Sequence, residues 1–337
     1  MKRDAEQGSS RVDPDGTAHV TRVVPPPRAV SPEARAYLAT PPWGAAAPDP
    51  HAPMWAAREQ ADAALKMLGE MAASHYEVSV EDMQIAGVRC HLVRSSPEAG
   101  KACGRVLINL HGGGFVMGSG SVVEAVPIAR MTGIPVIAVD YRLAPEHAYP
   151  AAVDDVIAVY RAVLEHHDAA AVGIYGASAG GILTGQVQAR IAHEGLPSPA
   201  CLGMFTAAGD LADLGDSAAL FGLSGFWGEL LLPPDHPLSE LRAYLSGADA
   251  RDPLVSPIHA DLTQFPPTLL VTGTRDALLS GTCAMHLALR RAGAEAELLV
   301  FEAMPHAHWY AFHLPEAQQA LSLMADFFQR KLHRTQA

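Results

Sequence analysis

Cysteine is scarce and scattered. Cys90, Cys103, Cys201 and Cys283 form no C-x-x-C pair, which argues against a structural disulfide and for reduced thiols in a cytoplasmic protein. Positive charge is also in short supply. With 24 Lys and Arg against 36 Asp and Glu, the chain carries a formal charge of −12, which excludes nucleic acid or an anionic membrane surface as its main partner. No apolar stretch reaches bilayer-spanning length. The opening Met1-Lys2-Arg3-Asp4-Ala5-Glu6-Gln7 turns polar with no apolar run behind it, so neither a signal peptide nor stable membrane association is expected. Metal-ligand spacing is missing too. Of 16 histidines, only His111, His306, His308 and His313 lie near other chemical signals. The H-x-H of His306 and His308 has no carboxylate at ligand spacing, and there is no H-E-x-x-H. No metal and no cofactor is called for.

What remains is ordinary for a soluble enzyme: 337 residues, 49 % apolar and 18 % charged, enough for one or two domains. Residues 1 to about 30 end in Pro25-Pro26-Pro27 and read as disordered or loosely draped. A second proline-rich patch runs from Pro41 to Pro53. After it, Met54, Ala57, Ala61, Ala64, Leu65, Leu68 and Met71 recur at helical spacing, so a helix is expected from Met54 to about Ala73. From His75 the period becomes two. Residues 76–80 and 88–93 read as antiparallel edge strands around Ala86-Gly87. Nearly continuous apolar runs follow at 105–110, 135–139, 172–175, 200–205, 268–272 and 296–301, the mark of strands buried on both faces. Helical stretches at 122–131, 151–166, 179–193, 282–292 and 315–332 alternate with them, which implies an α/β doubly wound sheet. Residues 210–249 break the alternation with Leu220, Phe221, Phe226, Trp227 and Leu230–Leu232 among Gly and Pro. That stretch is too long and too apolar for a plain loop. It reads as a cap insertion, with residues 1–74 as a first cap segment and 75–337 as the catalytic domain.

Gly176-Ala177-Ser178-Ala179-Gly180 lies between a buried strand and a helix. A serine on so tight a turn needs flanks nearly free of side chains, and the turn lifts its oxygen above the sheet beside a helix N-terminus. His111-Gly112-Gly113-Gly114-Phe115 follows the strand ending at Leu110. Ester hydrolysis passes through a tetrahedral oxyanion, and such a loop can aim backbone N–H groups at it. Gly112 and Gly113 are the expected donors, with the amide of Ala179 as the third; His111 is expected to brace the loop. A phosphate-binding loop is excluded, since no Lys-Ser or Lys-Thr follows. Ser178 needs a base, and the base needs an orienting carboxylate. Asp276, in Thr272-Gly273-Thr274-Arg275-Asp276, and His306, in Met304-Pro305-His306, each sit just past a predicted strand, where α/β sites gather. Asp252 lies before its strand and reads as a turn residue; His308 is the decoy base.

With Asp140-Tyr141-Arg142-Leu143-Ala144-Pro145-Glu146-His147 and Asp252-Pro253-Leu254-Val255-Ser256-Pro257 added to these motifs, the chain from about 75 to 335 resembles the hormone-sensitive-lipase-like (family IV) carboxylesterases of the α/β-hydrolase superfamily. The resemblance implies a mostly parallel central sheet flanked by helices, with a helical cap made from the N-terminal segment plus an insertion. It implies a Ser178, Asp276, His306 triad. Three positions depart from the family's pattern. Ala177 stands where aspartate is common, His308 where an aromatic is common, and Asp276-Ala277-Leu278 replaces Asp-Pro-Leu. The first two are expected to alter the acyl or alcohol pocket. The expected activity is hydrolysis of short-to-medium acyl esters through an acyl-enzyme. The alternatives are amide or lactone hydrolysis on the same groups, or a non-catalytic small-molecule binding module. The sequence leaves room for a homodimer through a sheet-edge strand or the last helix.

Overall fold

The computed structural model describes residues 10–40, 58–96, 104–230 and 239–332. In chain order its elements begin with strands β1 (Ser10–Val12) and β2 (Ala18–Val20) and helices α1 (Pro32–Ala39) and α2 (Arg58–Tyr76). The sheet follows with β3 (Ser79–Ile85), β4 (Val88–Arg94) and β5 (Val106–Leu110), then α3 (Ala125–Thr132), β6 (Val136–Val139), α4 (Ala151–Leu164), β7 (Val172–Ala177), α5 (Ala179–His193) and β8 (Cys201–Phe205). The insertion holds α6 (Asp216–Leu220), β9 (Gly222–Ser224), β10 (Trp227–Leu230) and α7 (Glu240–Leu245). The chain closes with β11 (Thr268–Gly273), α8 (Leu279–Arg291), β12 (Ala296–Phe301) and α9 (Pro315–Lys331).

Eight strands form one sheet in the order β12-β11-β8-β7-β5-β6-β4-β3. The pairs from β6 to β12 are parallel, while β3 and β4 run antiparallel at one edge. The apolar runs form these strands because both of their faces are covered. Val106, Ile108 and Leu110 point into a core under α4, α5 and α8, and Leu107 between them points into a second core under α3 and α9. Residues of successive parity serve opposite layers, as the two-residue repeat of a strand requires. The doubly wound α/β architecture expected from the alternation is therefore present. Among the described residues no helix is long and apolar enough to cross a membrane.

Two expectations need adjustment and a third is met only in part. Within the first 30 residues, β1 and β2 pair antiparallel around Asp13–Thr17, where the Asp13 N–H donates to the Thr17 carbonyl at 2.9 Å. The turn residues supply the order there, since every residue of both strands is exposed. The long N-terminal helix covers Arg58–Tyr76, and the expected start at Met54 lies outside the described residues. The 210–249 section is only partly helical: β9 and β10 make a short hairpin between α6 and α7. Gly222 and Gly225 close it with reciprocal backbone hydrogen bonds.

Candidate active site

Each motif residue of interest sits just past the carboxyl end of a strand: Gly112–Gly114 after β5, Ser178 after β7, Asp276 after β11 and His306 after β12. Ser178 itself has φ 57° and ψ −125°, a left-handed conformation that costs a non-glycine residue about 1–3 kcal/mol. The strain is held from both sides. Its N–H donates to the Phe205 carbonyl at 2.9 Å, and its carbonyl accepts the Ile182 N–H at 3.0 Å. The flanking glycines are a steric necessity, since a side chain on Gly176 or Gly180 would run into the Leu110 carbonyl. Residues 171–177 and 179–189 are buried while Ser178 is partly exposed, so the turn presents one reachable hydroxyl above a closed core.

Asp276 and His306 meet. His306 Nδ1 lies 2.9 Å from Asp276 Oδ1, with the carboxylate fully buried. Two backbone bonds join their loops: the Thr274 N–H donates to the Phe301 carbonyl at 2.9 Å and the Arg275 N–H to the Met304 carbonyl at 3.2 Å. Burial alone would raise the Asp276 carboxyl. The His306 charge and hydrogen bond, the Leu278 N–H and the Thr272 hydroxyl outweigh burial and hold it below the ordinary carboxylate range. The last two donate at 2.9 and 2.8 Å. Thr206 also donates to Asp276 Oδ2, and its hydroxyl is 2.9 Å from His306 Nδ1. Thr206 follows Phe205, the acceptor of the Ser178 N–H, so the end of β8 touches both the serine turn and the Asp–His pair. With Nδ1 so engaged, Nε2 is the nitrogen left for chemistry.

The glycine loop corrects one expectation. The Gly112 N–H is not available to an oxyanion, because it donates to Glu124 Oε1 at 2.9 Å. The Ala177 N–H donates to the other oxygen of the same carboxylate at 3.0 Å. Asn109 Nδ2, at 3.2 Å, and the Tyr310 hydroxyl complete the set. Glu124 thus clasps the glycine loop to the serine turn. Burial pushes its carboxyl up to about 7, with the four donors opposing that rise. Gly113 has φ 120°, and a side chain there would strike the Met117 backbone. Among the described residues no acceptor takes the amides of Gly113, Gly114 or Ala179. His111 braces the loop as expected. Its ring stacks on Tyr141 at 4.2 Å, and the Tyr141 hydroxyl donates to the His111 carbonyl at 2.6 Å.

Two of the three departures from the family pattern lie in the core. Ala177 and His308 both have 0 % exposure. His308 packs against Phe301 and Trp309, and burial lowers its imidazole to about 4. Asp252 makes a turn, accepting the Leu254 N–H at 2.8 Å. Glu124 and Thr206 were not singled out by sequence reasoning. A lone acid inside the apolar Val122-Val123-Glu124-Ala125-Val126 is a signal in itself, since a buried carboxylate must find donors; Thr206 carries no comparable mark.

Two segments lean over the loops. From α2, Arg58 donates to the Val116 and Ala144 carbonyls and pairs with Glu146 at 3.0 Å. Asp62 Oδ1 accepts the Gly118 N–H at 2.6 Å. From the insertion, Phe226 lies under the Arg275 guanidinium at 4.9 Å, beside Asp276.

A family model described as the alpha/beta hydrolase fold matches residues 107–310. An acetyl-hydrolase of Streptomyces hygroscopicus is 34 % identical over 230 residues, 67 % of this chain and 76 % of that one. The crystal structure of an esterase named E25 superposes with a TM-score of 0.81 at 31 % identity, covering 93 % of this chain and 98 % of that one. Another crystal structure, of an esterase from the bacterial hormone-sensitive lipase family, gives a TM-score of 0.74 at 29 % identity, covering 90 % and 100 %. With sheet, serine turn and family model in agreement, the chain belongs to the hormone-sensitive-lipase-like carboxylesterases of the α/β-hydrolase superfamily, enzymes that hydrolyse carboxylic esters.

Proposed function

We propose that Ser178, Asp276 and His306 form the triad of a serine carboxylesterase acting on short-to-medium acyl esters through an acyl-enzyme. His306 Nε2 takes the Ser178 proton as the serine oxygen attacks the ester carbonyl. Asp276 fixes the tautomer through Nδ1 and offsets the imidazolium charge. The developing oxyanion is met by the amides of Gly113 and Ala179, with Gly114 replacing Gly112 as the second loop donor. His306 then protonates the leaving alcohol, and water repeats the cycle on the acyl-enzyme. The observation that carries this reading is the Nδ1–Oδ1 hydrogen bond of 2.9 Å between His306 and the buried Asp276, tied through Thr206 to the strand end whose Phe205 carbonyl holds the Ser178 N–H.

The N-terminal segment and residues 210–249 serve as the cap. Arg58 and Asp62 on one side and Phe226 on the other support that assignment, and a cap over the triad would favour acyl chains of limited length. The reading extends to a cytoplasmic enzyme, in which Cys90 and Cys201 stay as buried thiols, and to a homodimer paired across the edge strand β12, where Val300 is exposed. The test is Ser178→Ala. It should abolish p-nitrophenyl acetate hydrolysis and labelling by an organophosphonate. Full activity in that variant would refute the assignment.

A further inference from the structure

Glu240 is a carboxyl against the glycine loop that the reaction above leaves without a task. It opens α7, the last element of the insertion. Tyr244, four residues on and therefore on the same helix face, is fully buried. Its ring stacks on Phe115 with centroids 3.7 Å apart and planes at 7°. Its hydroxyl donates to Gln186 Oε1 at 2.7 Å, and its carbonyl accepts the Tyr149 N–H at 2.8 Å. These contacts fix α7 on the glycine loop. The shared face then brings Glu240 onto Gly114, the residue before Phe115. A methyl group on Gly114 would collide with the Glu240 carboxylate. Among the described residues none donates a hydrogen bond to this carboxylate or pairs with it. Burial pushes it up to about 7, and the neighbouring His306 opposes that rise.

An unpartnered carboxylate packed against the glycine loop is costly until something supplies a donor or a positive charge. Beside a developing oxyanion its charge also opposes the transition state of a neutral ester. A cation on the substrate relieves both, and relieves the second only as the oxyanion forms, so the gain falls on kcat/KM. We propose that Glu240 is a specificity-determining residue that selects esters bearing an ammonium group. The inference rests on the serine-esterase reading. An apolar wall would sort substrates by size; this carboxylate sorts them by charge.

The test uses two shape-matched pairs. Acetylthiocholine is compared with 3,3-dimethylbutyl thioacetate, which puts the cation on the leaving group. Methyl 6-aminohexanoate is compared with methyl heptanoate, which puts it on the acyl group. Assays run at about pH 8.5, where the Glu240 carboxyl is ionised and the amine is protonated. The readout is the kcat/KM ratio of the cationic to the neutral member. Glu240→Gln should lower that ratio about tenfold in at least one pair, the size expected for losing a charge-assisted contact. Glu240→Lys should lower it further in the same pair. A change below about threefold in both pairs for both variants overturns the assignment, whether absolute rates rise, fall or hold; a larger fall supports it. A wild-type protein that hydrolyses no ester and takes no organophosphonate overturns the esterase reading and this inference with it. A wild type active on the neutral members with unmoved ratios overturns this inference alone.

Discussion

Replacing Glu124 with glutamine takes one acceptor away from a clasp that uses both. One carboxylate oxygen receives Gly112 N–H and the Tyr310 hydroxyl; the other receives Ala177 N–H and Asn109 Nδ2. A glutamine side chain offers one oxygen and one NH2 group. Either orientation sets that NH2 against a buried backbone N–H, and one unsatisfied buried donor costs about 1–3 kcal/mol. The segment that loses its acceptor is the glycine loop or the serine turn, and a shift there of a fraction of an ångström is expected to lower kcat roughly 10–100-fold with little change in KM. Stability should behave differently. Burial raises the Glu124 carboxyl from its ordinary 4.5 to about 7, so the folded protein holds this proton more tightly than the unfolded chain does. The resulting stabilisation is complete below pH 4.5 and is lost as pH rises through 7, on the order of 3 kcal/mol in all. Glutamine has no such slope. Glu124→Gln should therefore be less stable than wild type in urea melts near pH 5, with the gap closing by about pH 8. The kcat deficit on p-nitrophenyl butyrate should persist at the higher pH. Wild-type kcat in this variant, or a stability gap independent of pH, would refute the clasp.

Asp276→Asn should lower kcat by roughly 10³–10⁴-fold with near-normal folding, because the amide no longer enforces the productive His306 tautomer; a loss below tenfold in steady-state kinetics would contradict that role. Thr206→Val removes a donor from Asp276 Oδ2 and should cost about tenfold in kcat, comparable to one hydrogen bond to a charged group; unchanged kinetics would make the threonine a spectator. Gly180→Ala puts a methyl group into the Leu110 carbonyl and should destabilise by more than about 3 kcal/mol or prevent folding; a normal melting curve would contradict the packing. Arg58→Ala frees α2 from Val116, Ala144 and Glu146, so limited proteolysis ahead of Tyr76 should quicken, and wild-type cleavage rates would argue against α2 as a fastened cap.

The sheet was legible because its strands have one kind of environment. A run such as Val106–Leu110 is apolar at every position, and only burial on both faces calls for that. The glycine and serine motifs were legible for a related reason: main-chain conformations such as φ 57° at Ser178 tolerate almost no side chain beside them. The β9–β10 hairpin was not. Its strands have three and four residues, too short for a repeat to show, and the helical cap implied by the family resemblance gives no hint of them. The Asp13-Pro14-Asp15-Gly16 turn is a local signal that the polar composition around it masked.

The assignment of Gly112 shows why a motif names a loop before it names its atoms. Three successive glycines are equivalent in sequence, and nothing in their spacing says which N–H faces the substrate. What decides it is a demand from elsewhere: a carboxylate buried among apolar neighbours must collect donors. Glu124 collects them from residues 12, 53 and 186 positions away. With Gly112 engaged by Glu124, the proposed oxyanion donors move one residue along, to Gly113 and Gly114. The same logic places Glu240, whose relation to the loop depends on which face of α7 meets Phe115. An acid with internal donors became a strut that fixes the machinery, and an acid without them was left unpaired against Gly114. That contrast is why the two are assigned different tasks. Glutamine at 124 should slow every ester alike, whereas glutamine at 240 should change which ester is preferred.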